Sequence, residues 1–81
     1  MEIVVRLFGA EADVTGGAQL TLHVDGAATC GDLRRVLAER HPSLAVRLPA
    51  CRFAVNHEFA GDEHLVSEQD EVALIGLVSG G

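Results

Sequence analysis

Two periodicities divide this chain. Glu2-Ile3-Val4-Val5-Arg6-Leu7-Phe8 is rich in Ile and Val and mostly apolar. That composition predicts a strand covered on at least one face and central in its sheet, ended by Gly9. The stretch from Ala10 to Ala18, carrying Thr15-Gly16-Gly17, predicts a loop, with the internal Gly pair as a turn. Gln19-Leu20-Thr21-Leu22-His23-Val24 alternates polar and apolar, which places Leu20, Leu22 and Val24 on one face of a half-buried strand and turns His23 outward. These two strands predict a hairpin, and Asp25-Gly26 is a turn signal.

The period then lengthens. Thr29 can cap a helix, and Asp32 three residues later completes a capping-box-like pair. Leu33, Val36, Leu37 and Arg40 follow at helical spacing, with Asp32, Arg35 and Glu39 on the other side. His41-Pro42 ends this helix of about three turns, because a residue before proline is pushed out of helical geometry. Arg52 to Asn56 reads as a short strand, His57 to Gln69 as irregular with a short strand around Phe59, and Glu71 to Ile75 as the last strand. The order predicts an α+β domain: a small mixed sheet of four to five strands, with its first and last strands adjacent in the middle and one main helix across one face.

Composition bounds what such a domain can do. The 81 residues carry 12 acidic and 6 basic side chains, for a net charge of −6; every basic residue is Arg and there is no Lys. A single domain of this size buries only about 60–65% of its unfolded surface, leaving little room for a deep active-site cavity beside a core. A carrier or binding module fits better than a self-contained enzyme. The acidic balance and scattered arginines argue against nucleic acid and anionic membranes as partners, and favour a protein with a basic docking surface. No apolar run is long enough to span a membrane, and the first residues lack the basic start of a signal peptide, so the expected location is cytoplasmic. Two cysteines, Cys30 and Cys51, fit reduced thiols better than a disulfide framework.

The most informative stretch is the last one. Residues 1–75 form the expected domain, and Gly76-Leu77-Val78-Ser79-Gly80-Gly81 the expected tail. Such a tail, with small residues at its end, can thread a narrow channel and present the Gly81 carboxylate inside another protein's active site. An enzyme that activates a carboxylate as an acyl-adenylate needs that access. The competing reading is a frayed end without a role.

Ala54-Val55-Asn56-His57-Glu58-Phe59, Asp70-Glu71-Val72-Ala73-Leu74-Ile75 and the final Val78-Ser79-Gly80-Gly81 resemble the MoaD/ThiS family of ubiquitin-like sulfur carriers, and within it the small subunits of molybdopterin synthase. Phe8-Gly9-Ala10 and Arg40-His41-Pro42 resemble the family too, so the likeness covers essentially the whole chain. It implies a ubiquitin-like β-grasp fold. It implies that an ATP-dependent adenylating enzyme activates Gly81, that a persulfide donor protein converts it to a thiocarboxylate, and that the loaded tail enters the large subunit of molybdopterin synthase. There the sulfur is transferred during molybdenum cofactor biosynthesis. The chain would be the non-catalytic subunit of that sulfurtransferase, with no bound cofactor and ATP used only by the activating enzyme. Two departures stand out. Gly76 and Leu77 occupy places where the family usually has two prolines, and Gln69-Asp70 stands for its usual Gly-Asp.

The resemblance further implies that Phe8, Phe59 and Leu74 or Ile75 face the partner; plain core packing is the other reading. Related carriers serve thiazole, cysteine or secondary-metabolite synthesis, and a ubiquitin-like protein modifier would use the same tail. A non-covalent binding module is the third class. Lesser signals are Cys30 near a helix start, as a persulfide carrier or a buried small residue, and Cys51, His57 and His64 as a loosely spaced zinc set. Glu68, Asp70 and Glu71 form an acidic cluster that is either solvated or meets a basic partner surface.

Overall fold

A computed structural model describes residues 1–76. The elements in order are β1 (Glu2–Leu7), α1 (Gly9–Thr15), β2 (Gln19–His23), β3 (Ala28–Thr29), α2 (Cys30–Arg40), α3 (Pro42–Ala45), a short 3-10 turn (Leu48–Ala50), β4 (Cys51–Val55), β5 (Glu58–Ala60), β6 (Leu65–Val66) and β7 (Val72–Gly76). The main sheet has five strands in the order β2-β1-β7-β4-β5. Its central pair, β1 and β7, is parallel, and its other pairs are antiparallel. The first and last strands therefore lie adjacent in the middle, as their apolar composition predicts. β3 and β6 form a separate two-stranded ladder.

Alternation sorts each strand into two faces. Ile3, Val5 and Leu7 of β1, Val72 and Leu74 of β7, and Phe53 and Val55 of β4 are buried on one side. Registration brings these sets level, with Ile3 opposite Leu22, Leu7 opposite Leu74 and Phe53 opposite Leu74. α2 covers this side with Cys30, Leu33 and Leu37, and Leu44 of α3 extends the same apolar cluster. The α2 start is the predicted one: Thr29 Oγ1 accepts from the Asp32 N–H at 3.1 Å, while Asp32 Oδ2 accepts from the Thr29 N–H at 2.9 Å. The next two donors at this helix end, Cys30 N–H and Gly31 N–H, bond to the carbonyls of His64 and Asp62. Arg34 then ties α2 to the far loops, donating to the Leu48 and Cys51 carbonyls and to Asp62 Oδ1.

Three expectations are corrected. The predicted loop after β1 contains α1; its apolar residues are mostly alanines, which carry no helical period, and its end is set by Gly16 in the left-handed region at φ 76, bonding back to Ala12 O. The segment 57–69 holds β6 as well as the strand around Phe59. The last strand runs through Gly76, which pairs with Cys51, so Gly76 belongs to the sheet rather than to the tail.

Candidate functional site

The face of the main sheet opposite α2 is the open one. Arg6, Ala73, Ala54, Arg52 and Ile75 alternate with the buried set, and pairing aligns Arg6 with Ala73, Ala73 with Ala54, and Ile75 with Arg52. At the rim of this face two aromatic rings are exposed: Phe8, just past β1, at 51%, and Phe59 of β5 at 57%. The Arg52 guanidinium lies over the Phe59 ring, 4.4 Å from its centroid. It covers part of an otherwise wet apolar surface with a favourable cation–π contact. A shallow cleft between Phe8, Ala54, Ala73 and Ile75 completes the patch, with Arg6, His57 and Glu71 at its edges. The face thus mixes small and apolar residues with the charged side chains of Arg6, Arg52, His57 and Glu71, and exposes two aromatic rings.

The loops beside it are rigidly built. β4 and β5 are joined by Asn56-His57, both with positive φ at 52 and 70. Asn tolerates that geometry better than most residues. Its side chain is used twice: Oδ1 accepts from the Glu71 N–H at 2.9 Å, and Nδ2 donates to Asp70 Oδ1 at 3.0 Å. Asp70 Oδ2 accepts from the Ser67 N–H at 2.8 Å, closing the turn before β7. The Ser67 N–H and the Asn56 amide hold the Asp70 carboxyl below its ordinary range. His57 Nε2 lies 3.3 Å from Glu71 Oε2, and Glu68 Oε1 accepts from the Glu2 N–H at 3.0 Å. The acidic cluster read from the sequence is thus engaged in the turn before β7, in a long-range bond to β1 and in a pair with His57.

Apart from Gly76, which β7 takes into the sheet, the predicted site residues fall into three sets. Phe8, Phe59 and Ile75 lie at the open face or its rim. Leu74 does not: it is 0% exposed, because the strand alternation that turns Ile75 outward turns Leu74 into the core. Leu77, Val78, Ser79, Gly80 and Gly81 lie outside the described residues. Both thiols are buried, and burial is the main cause that pushes Cys30 and Cys51 up from the usual thiol range. That environment suits a small apolar residue and opposes a reactive thiolate at Cys30. Among the described residues no group of three or more His, Cys, Asp or Glu is gathered to hold a metal, so Cys51, His57 and His64 do not form the zinc set considered above. Among those residues, too, no helix is long and apolar enough to cross a membrane.

Sequence reasoning missed one group altogether. Glu11 of α1 is only 5% exposed and sits against Gly76 at the end of β7. Arg47 Nε donates to Glu11 Oε2 at 2.8 Å. An acidic residue in an expected loop gives no signal of burial.

The strand order, the parallel central pair and the single long helix across one face define a ubiquitin-like β-grasp protein. A crystal structure of SAMP1 from Haloferax volcanii has the same fold, with a TM-score of 0.87 at 31% identity and full coverage of both chains. The chain belongs to the ThiS family, whose model matches residues 5–81. Among its relatives is the molybdopterin synthase sulfur carrier subunit of Chlamydomonas reinhardtii, 32% identical over 83 aligned positions that cover both chains completely. The protein of that name from Arabidopsis thaliana is 33% identical over 81 positions, spanning this whole chain and 84% of the relative.

Proposed function

We propose that this protein is a sulfur carrier that acts through the carboxylate of Gly81. Attack of that carboxylate on the α-phosphorus of ATP, in an activating enzyme, forms an acyl-adenylate and expels pyrophosphate. The terminal sulfur of a donor persulfide then attacks the carbonyl carbon and AMP leaves. A thiol cleaves the S–S bond of the resulting acyl disulfide, releasing a thiocarboxylate on Gly81 and a new disulfide. Adenylation supplies the good leaving group that a carboxylate lacks, and the carrier keeps the sulfur from diffusing away. The recipient in this reading is the large subunit of molybdopterin synthase. The acid–base groups belong to the partner enzymes, and ATP is consumed there.

The observation that carries the reading is the full-length match to proteins named as molybdopterin synthase sulfur carrier subunits, with a family match that extends through Gly81. The open sheet face supports it. Phe8, Phe59 and Ile75 offer a partner an apolar patch on the sheet whose last strand leads into residues 77–81.

Intact mass spectrometry tests this directly. The protein is incubated with an activating enzyme of this family, ATP and a persulfide donor. A gain equal to one oxygen replaced by sulfur, localised to Gly81 and lost on deleting that residue, is the expected result. No gain with an enzyme that loads its own carrier would overturn the sulfur chemistry. Isopeptide adducts on the lysines of other proteins would instead identify a modifier.

A further inference from the structure

Gly76 is the last residue of β7, and three elements converge on it. On one side it pairs with Cys51 of β4. On another, a Cβ added at this position would overlap the Glu11 carboxylate, with Cδ only 2.7 Å and Oε2 2.8 Å away. Arg47 joins the two sides. Its Nε donates to Glu11 Oε2 at 2.8 Å, and its carbonyl accepts from the Cys51 thiol at 3.2 Å. The hydrogen bond to Glu11 raises Arg47 above its already high ordinary range, so the cation is permanent. The carboxylate is the end of a flexible side chain, but moving it from Gly76 would disturb its ion pair with Arg47, and that pair is what makes the displacement costly. The glycine at this position is there for the close approach of Glu11 and not for an unusual φ.

We propose that Glu11 and Arg47 are positioning residues for the function of the C-terminal segment: the ion pair walls in Gly76 and so holds the backbone at the end of β7, the point from which the segment ending in Gly81 starts. The proposal rests on the sulfur-carrier reading, since the placement of that point matters only if the last residue must reach a reacting centre. A docked carrier whose open sheet face sits correctly still delivers its carboxylate to the wrong place if the root of the segment swings. Misplacement of a reacting group by about 1 Å can cost on the order of a hundredfold in rate. Binding through the sheet face would be untouched, because Glu11 and Arg47 line a cleft with Val46, Ala50, Cys51 and Gly76 at the end of β7 rather than that face.

The test is steady-state pyrophosphate release by the activating enzyme that loads the unmodified protein. Glu11→Ala is expected to lower kcat about tenfold while KM stays within about twofold, a split that a purely structural role would not produce once the variant is folded. Gly76→Ala is expected to lower kcat by a similar factor, because its methyl must displace the carboxylate. In the Glu11→Ala background, Gly76→Ala is expected to cost nothing further, since the space is then empty. Glu11→Gln, which keeps the volume and loses the charge, serves as the second variant if Glu11→Ala does not fold, and its kcat should fall between the two. A wild-type kcat for the folded Glu11 variant, or an equal cost of Gly76→Ala in both backgrounds, overturns the positioning role alone. Failure of the unmodified protein to be loaded at all overturns the functional reading, and this proposal falls with it.

Discussion

Phe53 and Phe59 sit on neighbouring strands of one sheet, and each ring has an arginine over it. The Arg34 guanidinium lies 5.4 Å from the Phe53 centroid, and that of Arg52 lies 4.4 Å from the Phe59 centroid. Yet Phe53 is 0% exposed beneath α2, whereas Phe59 is more than half exposed on the other side. The comparison separates two tasks. On the inner face the aromatic ring fills space and Arg34 serves the fold, stapling α2 to the Leu48 and Cys51 carbonyls. On the outer face the ring is left in water with only Arg52 over it, free for contact in the docking role proposed above. The inner face should therefore govern stability and the outer face association, with little crossover.

Phe53→Ala is the strongest challenge to that division. Removing a fully buried ring leaves a cavity and should cost about 3–5 kcal/mol. A domain this small has total stability toward the low end of about 5–15 kcal/mol, so the variant should be largely unfolded or close to it. Urea denaturation followed by circular dichroism reads this. A loss under about 1 kcal/mol would mean that the inner face is not the packed core described here.

The two thiols report on the same face without mutation. Cys30 and Cys51 are buried and held as protonated thiols, so a disulfide reagent should reach them only through opening of the fold. Labelling in native buffer should be slower than in urea by about a thousandfold or more, if opening tracks global stability. Phe53→Ala should erase most of that protection, while Phe59→Ala should leave it intact. Fast native labelling of either thiol would show that the inner face opens locally.

Phe59→Ala makes the opposite demand. The ring is mostly in water, so its loss should change stability by no more than about 0.5 kcal/mol. An exposed aromatic anchor at an interface is worth about 1.4 kcal/mol or more, so KM for the activating enzyme should rise about tenfold while kcat is kept. Phe8→Ala should act in the same direction. An unchanged KM for both variants would remove the open sheet face from partner recognition.

Much of this contrast was legible in the residues. The alternation in β1 and β2, the Thr29–Asp32 capping box and the His41-Pro42 stop place the sheet and α2 correctly, because each rests on a local rule that tertiary packing also obeys. The same alternation, applied to β7, would have separated buried Leu74 from outward Ile75; only the resemblance kept them together. What local rules could not supply is long-range. α1 is too short and too alanine-rich to show a period, and the burial of Glu11 depends on Arg47, 36 residues away. The pairing of Arg52 with Phe59 likewise requires knowing that β4 and β5 are neighbours.

The smallest expected effect comes from two carboxylates outside both faces. Asp32 is held below the ordinary Asp range first by the Thr29 N–H and then by Arg35, and Asp70 first by the Ser67 N–H and then by Asn56. A depressed carboxylate binds its proton more weakly in the folded state than in the unfolded one. Its contribution to stability is therefore complete above the unfolded value of about 3.9 and is lost as pH falls through the folded one. Asp32→Asn combined with Asp70→Asn removes both titrations. The urea midpoint of the double variant should lie below that of the unmodified protein at neutral pH, and the two should converge as the pH drops below about 4. Both residues sit on solvent-facing turns, at the α2 start and before β7, so KM for the activating enzyme should not move at neutral pH. Parallel midpoint curves down to low pH would mean that neither carboxylate is tied to the fold as its hydrogen bonds indicate. A raised KM would bring the Asp70 turn, which lies beside Glu71 at the edge of the cleft, into the partner's footprint and so redraw the boundary between the two tasks.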